Sequence, residues 1–198
     1  RARLTASRIA RLMDGTYSSI NTLLDVIQRE MEEGPGGWLE GFEIEAASLS
    51  WGNDNEPKAI SLFEMLYDFE VAKPELVLYP HDNFIGATPD GIIVGQNRSV
   101  EVKCPFNPDN HELALIYGMP RMYKWQTQTQ SLCLENEGVY FLSFDPRREP
   151  RRRLKVDFQP ADPIAHEQIL ERTAWFKELL KSGNRVERVP DKTPTFLP

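Results

Sequence analysis

Three residues in the stretch TPDGIIVGQNRSVEVKCPF, residues 88–106, have the types and spacing of a hydrolytic centre: Asp90, Glu101 and Lys103. The segment Val100–Lys103 alternates, so Val100 and Val102 face one side of a strand while Glu101 and Lys103 face the other, about 6–7 Å apart at Cα. Asp90 opens a short strand able to pair with this one, which would set its carboxylate beside Glu101. Two converging carboxylates repel each other unless a cation lies between them. Oxygen donors of this kind suit Mg²⁺ or Mn²⁺, and the Val102 carbonyl is a further candidate ligand. Lys103 could then orient or deprotonate the attacking water, or stabilise charge developing on a phosphate. The plain alternative is that Thr88-Pro89-Asp90-Gly91 is a β-turn and Glu101 and Lys103 an ordinary exposed strand pair. On spacing alone this alternative is favoured.

A third carboxylate shifts the balance. Glu56 leads a helical pattern in which Ile60, Phe63 and Tyr67 fall on its own face. A carboxylate on an apolar stripe is costly to bury unless it is paired or binds a metal. The structural reading is an acid placed at a helix N-terminus for the dipole. In MPRMYKWQTQTQSLCL, Tyr123, Gln126 and Gln130 share one helical face and Gln128 points elsewhere. Such glutamines are usually solvent-facing; on a helix packed against a sheet they could hold a phosphate or a catalytic lysine.

The elements that must position these residues follow from periodicity and breakers. Helices are predicted over 5–13, 19–32, 38–49 and from 53–55 to 69, with Gly34-Pro35-Gly36-Gly37 as a breaker and Pro57 in the first turn of the fourth. Strands are predicted over 71–79, 84–87, 91–94 and 100–103, then helices over 112–117 and 121–134. Strands 139–144 and 154–158 and a helix over 164–181 complete the pattern, and 190–198 reads as a loose tail. This is one α/β domain with a mixed sheet.

The 198 residues suit a single domain with a substantial core. No apolar run has the length of a membrane span. The chain begins with arginine rather than methionine, so part of the natural N-terminus is expected to be missing, and any targeting information there with it. Cys104 and Cys133 without a C-x-x-C pair fit a reducing cytoplasm. His81, His111 and His166 are far apart and read as surface or loop residues rather than zinc ligands. A net charge of −7 argues against a general nucleic-acid binder, yet residues 147–155 carry six cations and one acid. That run is either a solvated face or a phosphate-contacting patch formed by Arg147, Arg148, Arg151, Arg152 and Arg153.

Taken together, Leu4-Thr5-Ala6-Ser7, Trp51-Gly52 with Glu56, Thr88-Pro89-Asp90-Gly91, Val100 to Phe106, Tyr123 with Gln126 and Gln128, and Tyr140-Phe141 through Asp145-Pro146-Arg147 resemble the lambda-exonuclease and YqaJ-like viral recombinases of the PD-(D/E)xK nuclease superfamily. The resemblance implies a restriction-endonuclease-like core with a central mixed sheet flanked by helices. It implies a Mg²⁺-dependent 5′–3′ exonuclease on linear double-stranded DNA, phage or prophage encoded, with Mn²⁺ able to substitute and two ions per site. It also implies a trimeric ring and a single-strand annealing partner. Carried over by position, Asp90, Glu101 and the Val102 carbonyl hold metal, Lys103 is the catalytic lysine, and Glu56 completes the site. Ser7, with Thr5, contacts the terminal 5′ phosphate; Gln126 lies near it and the lysine, with Tyr123, Gln128 and Arg147 as further DNA contacts. The family arginine that helps hold that phosphate falls just before residue 1, leaving Arg1 as a substitute. An endonuclease or junction resolvase on the same core, and a non-catalytic DNA-end-binding protein, are the alternatives.

Overall fold

The computed structural model describes residues 3–34 and 46–187. In chain order the elements are β1 (Leu4–Thr5), α1 (Ala6–Asp14), α2 (Tyr17–Glu33), α3 (Ala46–Tyr67), β2 (Val71–Ala72), β3 (Val77–Tyr79), β4 (Asp82–Ala87), β5 (Gly91–Ile93), β6 (Ser99–Lys103), α4 (Pro108–Tyr117), α5 (Lys124–Leu134), β7 (Gly138–Phe144), β8 (Leu154–Pro160) and α6 (Pro163–Ser182). Arg1 and the tail 190–198 lie outside the described residues.

Five strands form a mixed sheet in the order β2-β5-β6-β7-β8, and three form a smaller one in the order β1-β4-β3. In the larger sheet β6 and β7 are parallel, with Glu101 opposite Phe141, while the outer pairs are antiparallel. A parallel neighbour needs a long crossover, and α4 and α5 supply it. The result is a mixed α/β fold with sheets flanked by helices, as the sequence led us to expect.

The alternation along β6 divides the core. Val100 and Val102 turn to α3, where Ala59 and Phe63 pack on them together with Ile93, Leu142 and Phe144. The second core joins α1, α2, β1, β4, α5 and α6 through Leu4, Ile9, Leu12, Leu24, Ile85, Leu132, Ile169 and Phe176. Arg8 of α1 donates to Glu30 of α2 at 2.5 and 2.9 Å, a largely buried pair that ties the first two helices. α5 is unusual because its buried stretch Thr127–Ser131 is entirely polar. Thr127 and Thr129 return their hydroxyls to the preceding turn, to the Lys124 carbonyl at 3.0 Å and the Trp125 carbonyl at 2.7 Å. The glutamines between them reach outward to other elements.

Several boundaries differ from the sequence expectation. The separate helices expected over 38–49 and from 53–55 onward are one helix from residue 46, the part before it lying outside the described residues. α3 runs through Pro57, which withholds one backbone donor. In the same turn the buried Asn55 donates to the Trp51 carbonyl at 2.8 Å and accepts from Lys58 at 3.0 Å. The strand expected over 71–79 divides at Lys73-Pro74, with β2 joining the larger sheet and β3 the smaller. Thr5, expected as the start of a helix, instead forms with Leu4 a strand parallel to β4.

Gly138 opens β7 at φ +149°, and a Cβ there would stand 2.3 Å from the Gln159 carbonyl oxygen. Gly138→Ala therefore forces β8 away from β7. The expected loss is about 2–3 kcal/mol, read as a lower urea midpoint; an unchanged midpoint would show that the two strands can yield.

Candidate active site

Asp90 sits where β5 begins. Its N–H donates to the Val100 carbonyl at 3.1 Å, and its Oδ2 accepts from the Val102 N–H at 2.7 Å. The side chain thus extends the ladder by one bond beyond the last pair of β5 and β6. A residue's N–H and carbonyl leave a strand by the same edge, so the Val102 carbonyl lies on Asp90's side of β6.

Glu101 and Lys103 project from the face of β6 opposite Val100 and Val102, under α5. Glu101 is 1% exposed, which overturns the exposed-pair reading. Its Oε1 takes the Lys103 Nζ at 2.5 Å and the Gln126 Nε2 at 2.6 Å. Its Oε2 takes the Gln130 Nε2. The Lys103 ammonium also lies 5.1 Å from the centre of the Tyr123 ring. Three donors, two of them from consecutive turns of α5, hold one buried carboxylate.

Glu56 faces the same acids from α3, though at 24% side-chain exposure it is only partly buried. The Lys73 Nζ is 2.8 Å from its Oε1. Two carboxylates in this cluster are therefore already paired with lysines, and Asp90 is not.

The electrostatics follow from that difference. Burial, then the nearby Glu101, push the Asp90 carboxyl up to about 7, against the pull of the Val102 N–H. Burial works to strip Lys103 of its proton, but the Glu101 charge outweighs it and the ammonium is held above its ordinary range. Burial and the charges of Glu56 and Asp90 push the Cys104 thiol up to about 12. It is a spectator rather than a nucleophile.

As these side chains stand, no group of three His, Cys, Asp or Glu among the described residues forms a closed metal cluster. The donors still fit a hard divalent cation. They are oxygens, and an ion between Asp90 and Glu101 would offset both the burial and the like-charge crowding that lift Asp90.

Other residues singled out in the sequence fall in different places. Thr5 and Ser7 lie at the start of α1 with hydroxyl oxygens 3.2 Å apart. Thr5 is paired with Gly86 of β4, four residues ahead of Asp90 in the chain. Gln128 is not brought to the site: it donates to the Pro160 carbonyl and accepts from the Asp162 N–H, both at 2.9 Å, closing the β8–α6 junction.

Arg147 clamps the chain after Lys103. It donates to Asp145 at 2.7 and 2.9 Å and to the Pro105 and Phe106 carbonyls at 3.3 and 3.1 Å. Its guanidinium also lies 4.4 Å from the Trp51 ring. Arg148 and Arg152 pair with Glu112 of α4, and the Arg153 Nε donates to the Arg148 carbonyl at 2.9 Å. Much of the basic run is thus engaged within the fold rather than standing as a free phosphate patch. His111, expected at the surface, is buried between Ser143 and the Arg152 carbonyl at 2.8 and 2.7 Å.

Gln130, singled out for the face it shares with Gln126, holds the Glu101 carboxylate rather than a phosphate or the lysine. Lys73 was missed as a site candidate: a lone lysine before a proline, it gave no local signal.

The sequence profile of the YqaJ-like viral recombinase domain matches residues 1–135. The chain belongs to this family. Among solved structures, this YqaJ-like domain is similar to the alkaline exonuclease LHK-Exo from Laribacter hongkongensis, at 24% identity and a TM-score of 0.80, covering 92% of this chain and 89% of that one. LHK-Exo in complex with dAMP gives 25% identity and 0.83 over the same shares. A phage-related exonuclease from Haemophilus somnus 129PT shares the fold at 14% identity and 0.64, over 92% of this chain and 96% of that one. A search of curated protein sequences gives no match.

The raised Asp90 carboxyl sets a pH test on the metal-free YqaJ-like domain. An unfolded aspartate has lost its proton by about pH 5, while the folded one keeps it to about 7. This stabilising contribution is present at low pH and lost as pH rises through about 7. Asp90→Asn keeps an acceptor for the Val102 N–H and removes the charge. Its melting temperature relative to the parent should rise between about pH 4 and 7 and level off above; a difference flat across that range would remove the crowding argument.

Proposed function

We propose that this YqaJ-like domain is a metal-dependent deoxyribonuclease that degrades linear double-stranded DNA from the 5′ end and leaves a 3′ single strand for recombination by single-strand annealing. The observation that carries the reading is the convergence of Asp90, Glu101 and Lys103 on adjoining strands, with Glu101 fixed from α5. The exonucleases named among the similar structures support it.

Asp90, Glu101 and the Val102 carbonyl would hold Mg²⁺, or Mn²⁺ in its place, and Glu56 would complete a site for two ions. When bound, the metal supplies Lewis-acid polarisation of the phosphate and a more acidic water. Glu101 is held by Gln126 and Gln130, so its position is set before substrate arrives. Lys103 keeps its proton while paired with Glu101. In that state it stabilises negative charge developing on the phosphate, and it can accept a proton only once that pairing is weakened. Gln126 donates to the same Glu101 oxygen that Lys103 contacts, so both sit where one reacting phosphate would lie. The Thr5 and Ser7 hydroxyls, at the N-terminus of α1, suit a terminal 5′ phosphate.

The proposal includes the assembly and setting. No helix among the described residues is long and apolar enough to cross a membrane. The reading is a phage- or prophage-encoded enzyme acting in the bacterial cytoplasm beside a single-strand annealing protein. An acidic chain of net charge −7 grips DNA weakly, and a closed ring around the duplex keeps it attached without strong contacts. Such a ring uses heterologous contacts that close after three subunits.

The test is a plasmid assay. Linear plasmid should be degraded from its 5′ ends in Mg²⁺, closed circles should survive, and a chelator should stop the reaction. Lys103→Ala should lose at least about a hundredfold in rate yet still bind Mn²⁺ in calorimetry. Cutting of closed circles would favour an endonuclease, and near-normal Lys103→Ala activity would make the lysine a bystander. Light scattering should give a mass near three times 22.8 kDa; a monomer at micromolar concentration would refute the ring.

A further inference from the structure

We infer that Lys73 is a displaceable counter-ion for Glu56, and that its ammonium transfers to a backbone phosphate of the duplex once a divalent cation takes the carboxylate. The inference rests on the nuclease reading above and adds a residue that neither the family profile nor the similar structures assign.

Lys73 leaves the sheet after β2. Its backbone is anchored on both sides. Ala72 pairs with Ile92 of β5, and the following Pro74 restricts Lys73 to extended conformations. The side chain lies largely in water: it is 72% exposed, against 24% for its Glu56 partner. The ammonium rests on Glu56 at 2.8 Å and also lies in the field of Asp90. It therefore covers two of the acids from the solvent side.

Lys103 is the contrast. Its partner Glu101 is 2% exposed in the side chain and bound at 2.5 Å, and two glutamines hold the same carboxylate. That pair is the more firmly held of the two. A pair with its cation largely in water is weak, and a divalent ion shared between Glu56 and Asp90 would replace it readily. The released lysine then stands at the solvent edge of the site, on a stem of four methylenes, where a duplex must approach. Nearby alternatives are few, because Arg147, Arg148 and Arg152 are taken by Asp145 and Glu112.

The experiment uses the full chain in a Lys103→Ala background, so that DNA is not consumed. Lys73→Met should bind Mn²⁺ at least threefold more tightly in calorimetry, because Glu56 no longer has a competing cation. With Mn²⁺ present, its binding of a 5′-phosphorylated duplex should show a salt slope shallower by about 0.9, and Lys73→Arg should restore that slope. Unchanged or weaker Mn²⁺ affinity would overturn the counter-ion role, and an unchanged slope would overturn the phosphate contact. Asp90→Asn is measured beside them. If it binds Mn²⁺ as tightly as the parent, the metal site itself is misassigned; if it loses binding while Lys73→Met behaves like the parent, only the inference about Lys73 falls.

Discussion

The structure turns on one buried negative charge. Glu101 lies on a central strand of the larger sheet and is almost wholly removed from water. A carboxylate in that position is tolerated only if donors replace its hydration. Lys103 comes from the same strand, two residues on, and the other two donors must come from whatever covers that face. This requirement decides what α5 can be. An ordinary amphipathic helix would put leucines over β6; this one puts Gln126 and Gln130 there.

A polar helix in the interior creates obligations of its own. Thr127 and Thr129 close theirs locally by bonding back to the preceding turn, and Ser131 reaches the Asn136 carbonyl at 3.3 Å. Gln128 faces away from the acids and is used to fasten β8 to α6. α1 then packs on α5 with apolar residues, so the helix that carries Thr5 and Ser7 is located by the helix that carries the glutamines. Glu101 is thereby linked, element by element, to the hydroxyls at the start of α1.

Much of this was legible in the sequence, for physical reasons that can be named. The Val-Glu-Val-Lys alternation has only one way to lie in a sheet with one apolar face, and spacings of three and four put Gln126 and Gln130 together. Glu56 was legible because its helix face is apolar downstream. What failed depended on partners far along the chain. Pro57 marks a helix boundary by local rules, yet the packing of Ala59 and Phe63 on the sheet carries α3 through it. The arginines of the basic run look free until α4 brings Glu112 beside Arg152, 40 residues away in sequence. His111 looks like a surface residue until Ser143 closes over it. Lys73 acquires meaning only when β2 lies beside the acids.

The parallel pairing of β6 and β7 has a further consequence. Ser99 is matched with Val139, so the strand bearing Glu101 gains its inner neighbour only after the whole crossover has been made. During synthesis β6 leaves the ribosome well before α5. For that interval Glu101 and Lys103 are solvated, and Asp90, without the burial that raises its pKa, ionises as an ordinary aspartate. Long-range pairing is slow relative to local helix formation, and α3 and the β5–β6 hairpin have time to associate first. The acidic cluster is therefore completed late, when α5 docks and water is expelled from around Glu101. A nascent chain carries the acids but not the arrangement, and the proposed chemistry becomes available only with the closing of the fold.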